Sequence, residues 1–102
     1  MRLNCDLGED VDGQGVELDA QLMPFIDQAN IACGLHAGDP WVASRVLDLA
    51  AQHGVTIGAH PSYSDRENFG RRSMKLDAAE LAAILHYQIG ALESLARSKG
   101  LE

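Results

Sequence analysis

In residues 39–60 the chain reads DPWVASRVLDLAAQHGVTIGAH, which joins a helix pattern to a strand pattern. Asp39 is a typical helix N-cap, and Pro40 suits the first helical position because a helix start leaves that N–H unpaired. Apolar residues then recur at helical spacing as far as Gly54, a typical residue for ending a helix. The apolar run from Val55 to Ala59 is typical of a short buried strand. The stretch therefore predicts a helix that leads directly into a strand.

The same alternation extends to both sides of this stretch. Residues 3–7 form a first β-like run, and residues 8–15 have the glycines and acids of an irregular loop. A short helix is predicted to follow the N-cap Asp19 and to run to about residue 28, with Pro24 near its first turn. A second strand is predicted over residues 29–35. Finally, residues 77–100 begin with a capping box and continue with apolar residues at helical spacing, which predicts a third helix.

Three successive β/α units predict an α/β fold in which parallel strands are joined by right-handed crossovers. Side chains alternate across a strand, and the two alternating sets differ in character. One set is apolar: Leu3, Cys5, Leu7, Ile31, Cys33, Leu35, Val55, Ile57 and Ala59. The other is mostly small or polar: Asn4, Asp6, Asn30, Ala32, Gly34, His36, Thr56, Gly58 and His60. One face packed under helices and one polar face fit a barrel lumen better than a doubly wound sheet, which needs two apolar faces.

Asp6, His36 and His60 are predicted to follow one another at the carboxyl ends of the three strands. In parallel β/α folds this end carries the site, because the loops that follow the strands build it. One carboxylate and two imidazoles form a usual ligand set for Zn²⁺ or a similar divalent ion. Two alternatives stay open: each histidine can be a hydrogen-bonded structural residue, and Asp6 can be a general base that activates water.

Composition and charge limit the partners. The 102 residues carry a formal charge of −7 with only eight Lys and Arg residues, which argues against a nucleic-acid partner. No apolar run is long enough to span a membrane, and the start lacks a signal-peptide pattern, so we expect a cytoplasmic protein whose Cys5 and Cys33 are thiols. Basic residues gather in the loop after the third strand, where Arg66, Arg71 and Arg72 are candidates for gripping a carboxylate or phosphate.

Three motifs resemble one known family. They run from Asn4 to Glu9 (NCDLGE), from Ala29 to Asp39 (ANIACGLHAGD) and from Gly58 to Arg71 (GAHPSYSDRENFGR). In this order they identify the chain as similar to the LamB/YcsF family over nearly its whole length. The resemblance implies a β/α barrel of the glycoside hydrolase and deacetylase kind. Family barrels have roughly 250 residues, so we expect residues 1–102 to be the first three β/α units of one truncated domain.

The resemblance also implies an activity and partners. It implies an ATP-dependent 5-oxoprolinase that opens the lactam of 5-oxoproline to L-glutamate, in which this chain supplies the A component and works with subunits B and C. A metal-dependent deacetylase-like hydrolase and a non-catalytic scaffold or ligand-binding module stay as alternatives. Because three strands alone expose sheet edges, we expect the chain to self-associate or to pair with the missing part of the barrel.

The resemblance carries over to individual residues. Asp6, His36 and His60 match the polar strand-end positions of the family and are predicted as catalytic residues and, by analogy with related deacetylases, as metal ligands. Neighbouring motif positions and the arginine-bearing loop supply the predicted substrate-binding residues, which are Asn4, Glu9, Asn30, Asp39, Arg66 and Arg71.

Overall fold

The computed structural model describes residues 2–9 and 14–101, and in these ranges parallel strands alternate with helices along the chain. The elements are β1 (Asn4–Leu7), α1 (Gln14–Leu22), a 3₁₀ helix (Met23–Phe25), β2 (Gln28–Ala32), α2 (Pro40–His53), β3 (Thr56–His60) and α3 (Ala78–Ser98). The predicted α/β class with three β/α units is confirmed. None of the described helices is both long and apolar enough to cross a membrane.

The strands lie in chain order, β1-β2-β3, and both neighbouring pairs are parallel. Asp6 pairs with Asn30, which in turn pairs with Gly58, so that three polar or small residues lie side by side across the sheet. Leu7 and Ile31 are also register partners, and both are at most 1% exposed. The predicted division of the sheet into a polar and an apolar face therefore holds in β1 and β2, whereas Ala59 of β3, predicted on the covered face, is exposed.

Helix α2 follows its predicted bounds. The Asp39 carboxylate accepts a hydrogen bond from the backbone N–H of Val42 at 2.8 Å, and Gly54 ends the helix with a φ of 65°. The buried side of the helix packs into one apolar core with Leu7 and Ile31 of the sheet. Full burial of one Val or Leu side chain contributes roughly 1.5–3 kcal/mol to the free energy of unfolding. The buried residues of α2 are Val42, Ala43, Val46, Leu47 and Ala50.

The prediction for the first helix is wrong in its bounds. The helix begins at Gln14 and not after Asp19, and Pro24 lies in the 3₁₀ turn that follows it. The Asp19 carboxylate accepts a hydrogen bond from the backbone N–H of Gly8 at 3.0 Å, so it ties the helix to the end of β1 and does not cap the helix. The predicted loop over residues 8–15 falls partly outside the described residues, and its last two residues, 14 and 15, belong to α1.

The second strand is shorter than predicted. It ends at Ala32, so the alternation predicted for Cys33, Gly34 and Leu35 does not apply, and His36 belongs to the β2–α2 loop. Gly34 has a φ of 96°, and its N–H bonds to the carbonyl of Ala37 at 3.1 Å. This turn ends the extended backbone that a longer strand needs.

Helix α3 is capped as predicted, because the Asp77 carboxylate accepts a hydrogen bond from the backbone N–H of Glu80 at 2.8 Å. Its fully buried polar residue, Gln88, fixes the loop that follows β3. The side-chain amide accepts from the N–H of Ser62 at 2.8 Å and donates to the carbonyl of Ser62 at 2.7 Å. One side chain therefore satisfies both backbone groups of a residue two positions after His60.

The β1–α1 and β2–α2 loops approach each other at two glycines. Gly38 has a φ of 74°, and a Cβ built on it would overlap the carbonyl oxygen of Gly8. The Gly38 N–H also bonds to the carbonyl of Glu9 at 3.1 Å. Only glycine permits both this conformation and this close approach.

We predict that Gly38→Ala lowers the free energy of unfolding by about 3 kcal/mol, because the methyl group forces the two loops apart and strains the backbone. Gly90→Ala is the matched control: Gly90 lies within α3 with open space around its Cα, so the exchange should raise stability by about 0.5–1 kcal/mol. Urea unfolding followed by circular dichroism measures both changes. Equal effects would contradict the described contact between the loops.

We predict that Gln88→Leu costs about 2–3 kcal/mol of unfolding free energy, because it leaves the backbone N–H and carbonyl of Ser62 without partners. Gln52→Leu makes the same chemical change on an exposed face of α2 and should stay within about 0.5 kcal/mol of the starting protein. The same urea titration compares them. A Gln88→Leu variant as stable as Gln52→Leu would show that the loop does not depend on this amide.

Candidate functional site

The carboxyl edge of the sheet brings together Asp6, Glu9 and His60. Asp6 lies within β1, Glu9 follows β1 by two residues, and His60 is the last residue of β3. One donor atom from each side chain lies within 4.8 Å of the other two. His60 Nδ1 and Asp6 Oδ1 are 3.8 Å apart, and this Nδ1 is buried with no hydrogen-bond partner among the described residues. The edge therefore gathers two carboxylates and one imidazole around a small space.

A ladder of amide side chains holds Asp6 from the neighbouring strand. Asn30 donates through Nδ2 to Asn4 Oδ1 at 3.1 Å and to Asp6 Oδ1 at 3.3 Å. Its own Oδ1 accepts from Gln28 Nε2 at 3.1 Å. Because Asn30 and Asp6 are register partners, the strand pairing sets these contacts. Asn4 and Asn30 thus lie beside the site, where Asn30 contacts Asp6 and Asn4 contacts Asn30. Substrate contacts by both residues stay predictions.

His36 lies behind His60 and not among the three converging groups. Its side chain is 3% exposed, and neither ring nitrogen has a hydrogen-bond partner within residues 2–9 and 14–101. The ring stands edge to face against His60, with 4.8 Å between centroids, and against Phe69 at 5.0 Å. Burial and then the neighbouring His60 lower the pKa of His36, which favours a neutral imidazole at pH 7. The structure brings His36 to the site, in contact with a predicted ligand.

The Glu9 carboxyl of the site has a raised pKa. Burial first, and then the negative charge of Asp6, raise the pKa of the Glu9 carboxyl, while His60 and Arg71 act in the opposite direction. The carboxylates of Asp6 and Glu9 are therefore close enough to repel each other. A carboxyl group with a raised pKa next to a charged one is a typical arrangement for proton transfer or for binding a cation.

The loop after β3 crosses the site and is held by Asp65. This carboxylate is 5% exposed and accepts hydrogen bonds from the backbone N–H of Arg72 at 3.2 Å and from Asn68 at 3.2 and 3.3 Å. Burial by itself would raise the pKa of Asp65, but these hydrogen bonds outweigh it and hold the pKa below its usual value. Phe69 adopts a φ of 56° in this turn, and its ring contacts His36.

Arg66, Arg71 and Asp39, predicted to bind substrate, each contact other parts of the chain. Arg66 donates through Nη2 to the carbonyls of Gly34 and Gly38, so it ties the β3–α3 loop to the β2–α2 loop. The Arg71 guanidinium lies over the Phe69 ring, 5.8 Å from its centroid. Asp39 caps α2. Substrate contacts by Arg66, Arg71 and Asp39 stay predictions.

A depression of 480 Å³ opens beside the site and has Asp6, Glu9 and Phe69 in its wall. Leu7, Gly15, Leu18 and Asp19 complete the lining. It is large enough for a small organic acid, and its wall combines carboxylates with apolar side chains.

Sequence reasoning missed Gln88 and Asp65 as residues that shape the site, and it did not identify Phe69. Gln88 lies among apolar residues at helical spacing. A polar residue at such a position is typically buried and needs hydrogen-bond partners. The run from Asp65 to Arg72 showed turn residues but no signal for a buried carboxylate. Nothing in the sequence places Phe69 against His36, because that contact joins two loops.

Residues 1–102 match the model of the LamB/YcsF family. Over 98 residues the chain is 58% identical to the 5-oxoprolinase A subunit of Pseudomonas fluorescens (strain Pf0-1), covering 96% of this chain and 39% of that protein. It is 52% identical to the 5-oxoprolinase A subunit of Vibrio cholerae (strain M66-2), covering 97% and 40%. The crystal structure of the lactam utilization protein from Thermus thermophilus superimposes with a TM-score of 0.91 at 40% identity, covering all of this chain and 42% of that one. The chain thus spans about two fifths of the relatives' length.

We predict that the contribution of Asp65 to stability depends on pH. Its pKa is lowered in the folded state, so the stabilisation is fully present above the unfolded-state pKa of about 3.9 and is lost as the pH falls through the lower folded-state pKa. Asp65→Asn should therefore lower the melting temperature at pH 7, and the difference from the unsubstituted protein should shrink below about pH 4. Thermal melts between pH 2.5 and 7 test this. A difference that is constant over that range would contradict an ionised, hydrogen-bonded Asp65.

Proposed function

This chain belongs to the LamB/YcsF family, and we propose that it serves in the A subunit of an ATP-dependent 5-oxoprolinase. The reaction opens the lactam of 5-oxoproline to L-glutamate together with subunits B and C. The observation that carries the proposal is the identity of more than half of the aligned residues to proteins named as the A subunit of 5-oxoprolinase. The name of the Thermus thermophilus structure, a lactam utilization protein, agrees with a lactam substrate.

The chemistry explains the need for ATP. A lactam carbonyl is stabilised by amide resonance. Bound ATP would supply a phosphoryl group to the amide oxygen, with ADP as the leaving group; one water would then add to the carbonyl carbon as the ring C–N bond breaks and the nitrogen takes up a proton, and a second water would release phosphate. The exposed guanidiniums of Arg71 and Arg72 are the groups that this chain offers to the developing negative charge.

The carboxylates of the site act on water in this proposal. Asp6, oriented by Asn30, or Glu9, whose raised pKa favours proton uptake, accepts a proton from the attacking water. His60 lies within 3.8 Å of Asp6 and holds or returns that proton. His36 and Phe69 exclude bulk water from one side of His60, because both rings are packed against each other beside it.

A metal-dependent, deacetylase-like hydrolase is the second candidate, and the convergence of Asp6, Glu9 and His60 favours it. The predicted set of Asp6, His36 and His60 shares two members with this group. A divalent ion held there would polarise a carbonyl or lower the pKa of a bound water. This candidate differs from the first in needing no ATP.

Association with other chains is part of the same proposal. Within residues 2–9 and 14–101, the outer edges of β1 and β3 have no strand partner. Next to β3, Ile57, Ile89 and Leu92 line an apolar groove, and Tyr87 is 70% exposed. These features support pairing with a further chain segment, a second copy or the partner subunits, in the cytoplasm.

The experiment replaces the aligned segment of the Pseudomonas fluorescens relative with this chain and combines the chimera with that organism's subunits B and C. We expect glutamate to form from 5-oxoproline only when ATP is present. Asp6→Asn and His60→Asn should each reduce the rate at least about 100-fold, because they remove proton-transferring groups. Glu17→Gln, a charge-neutralising exchange on an exposed residue of α1, is the control and should leave the rate unchanged.

Glutamate formation at the same rate in Asp6→Asn and His60→Asn would remove these residues from the reaction. An inactive chimera that assembles normally with subunits B and C would argue for a scaffold role. Hydrolysis that proceeds without ATP would favour the metal-dependent hydrolase.

A further inference from the structure

We propose that Asp6, Glu9 and His60 bind a first-row divalent cation, Zn²⁺ in the first instance, and that Glu9 takes the ligand position that the sequence assigns to His36. This inference rests on the geometry of the described residues and goes beyond the lactam-opening activity. The inference shares its three residues with the metal-dependent candidate above, so a failure to bind zinc would remove that candidate and leave ATP-dependent lactam opening standing. Loss of lactam opening would leave the cation site standing.

The distances between the donor atoms are the first support for a cation site. The three donor atoms lie within 4.8 Å of one another, whereas ligands of a tetrahedral zinc ion stand roughly 3.4 Å apart at bond lengths of roughly 2.1 Å. His60 Nδ1 and Asp6 Oδ1 are already at 3.8 Å. A closure of roughly 1 Å completes the set, and the side chain of Asp6, which is 52% exposed, has room to rotate.

A second observation is independent of the carboxylates. His60 Nδ1 is inaccessible to solvent and has no hydrogen-bond partner among the described residues, although it faces Asp6. A buried nitrogen without a partner costs free energy unless a ligand satisfies it. A cation between Nδ1 and the two carboxylates satisfies the nitrogen and also relieves the repulsion between Asp6 and Glu9.

The donor types select the cation class. An imidazole with two carboxylates suits Zn²⁺ and its first-row neighbours, whereas Ca²⁺ and Mg²⁺ prefer oxygen ligands alone. Cys5 lies on the apolar side of β1, where it packs against the core, and burial raises the pKa of its thiol. Thiolate therefore does not enter the set.

Asn30, His36 and Gly38 contact the three proposed ligands and restrict their movement. Asn30 donates to Asp6 Oδ1 and restricts the orientations of that carboxylate, as outer hydrogen bonds commonly do for metal ligands. His36 packs edge to face on His60 and fixes the plane of its ring. The Gly38 N–H holds the carbonyl of Glu9, so the backbone of the third ligand is tied to the β2–α2 loop.

The test titrates the 102-residue chain with ZnCl₂ and follows the imidazole nitrogens of its four histidines by ¹⁵N NMR, with calorimetry for the affinity. We expect the His60 nitrogens to shift on binding while those of His53 and His86 stay in place, and no direct coordination at His36. Glu9→Gln should weaken binding at least about tenfold. Glu17→Gln makes the same exchange on α1 and should leave the affinity unchanged.

Each other result overturns the proposal. If zinc does not shift the His60 nitrogens in the folded chain, the site is not a cation site. Coordination shifts at His36 together with His60, with Glu9→Gln binding as tightly as the control, would restore the set of Asp6, His36 and His60. Equal loss in Glu9→Gln and Glu17→Gln would indicate general attraction by the negative charge of the chain.

Discussion

The backbone contacts between the three strand-end loops are the constraint on which the site depends. The N–H of Gly38 bonds to the carbonyl of Glu9, and the N–H of Asp65 bonds to the carbonyl of Leu35 at 3.1 Å. Arg66 adds side-chain bonds from the third loop to the second. A loop fixed at both ends to its neighbours loses much of its freedom, so the side chains that it carries keep their positions. The order of the strands sets which loops are neighbours, and these hydrogen bonds hold the loops against one another.

Buried polar groups support this edge by holding the loop between β3 and α3. Gln88 satisfies both backbone groups of Ser62, and the Asp65 carboxylate collects the N–H groups of Asn68 and Arg72. Each is buried, and each would be costly without its partners. His36 and His60 are the contrast, since within the described ranges the first has both ring nitrogens unbonded and the second has Nδ1 unbonded. Satisfied polar groups build the frame, whereas the unbonded Nδ1 of His60 faces the proposed cation site and the unbonded nitrogens of His36 lie behind it.

The α/β class, helix α2, the cap of α3 and the two faces of the strands could be read from the sequence because each rests on local chemistry. The family assignment was confirmed too, since it depends on residue order alone. The predicted start of helix α1 is wrong because Asp19 accepts a hydrogen bond from Gly8 and does not cap the helix. The sequence predicts His36 at a strand end because the alternation of residue types continues through Gly34. This alternation does not reveal the positive φ of Gly34, which ends the extended backbone. Roles of single residues at the site stay predictions.

Which elements form and which strand positions are polar can be read from the residues alone, because periodicity and capping act over a few neighbouring residues. The same local patterns place Asp6 and His60 at one edge of the sheet. That Glu9 joins them and that His36 lies behind His60 is visible only in the folded chain. Both facts come from loops that are folded by contacts between residues far apart in the chain, such as Gly38 with Glu9 and Asp65 with Leu35. Contacts of this kind depend on the packing of the whole chain, and no local pattern of residues encodes them.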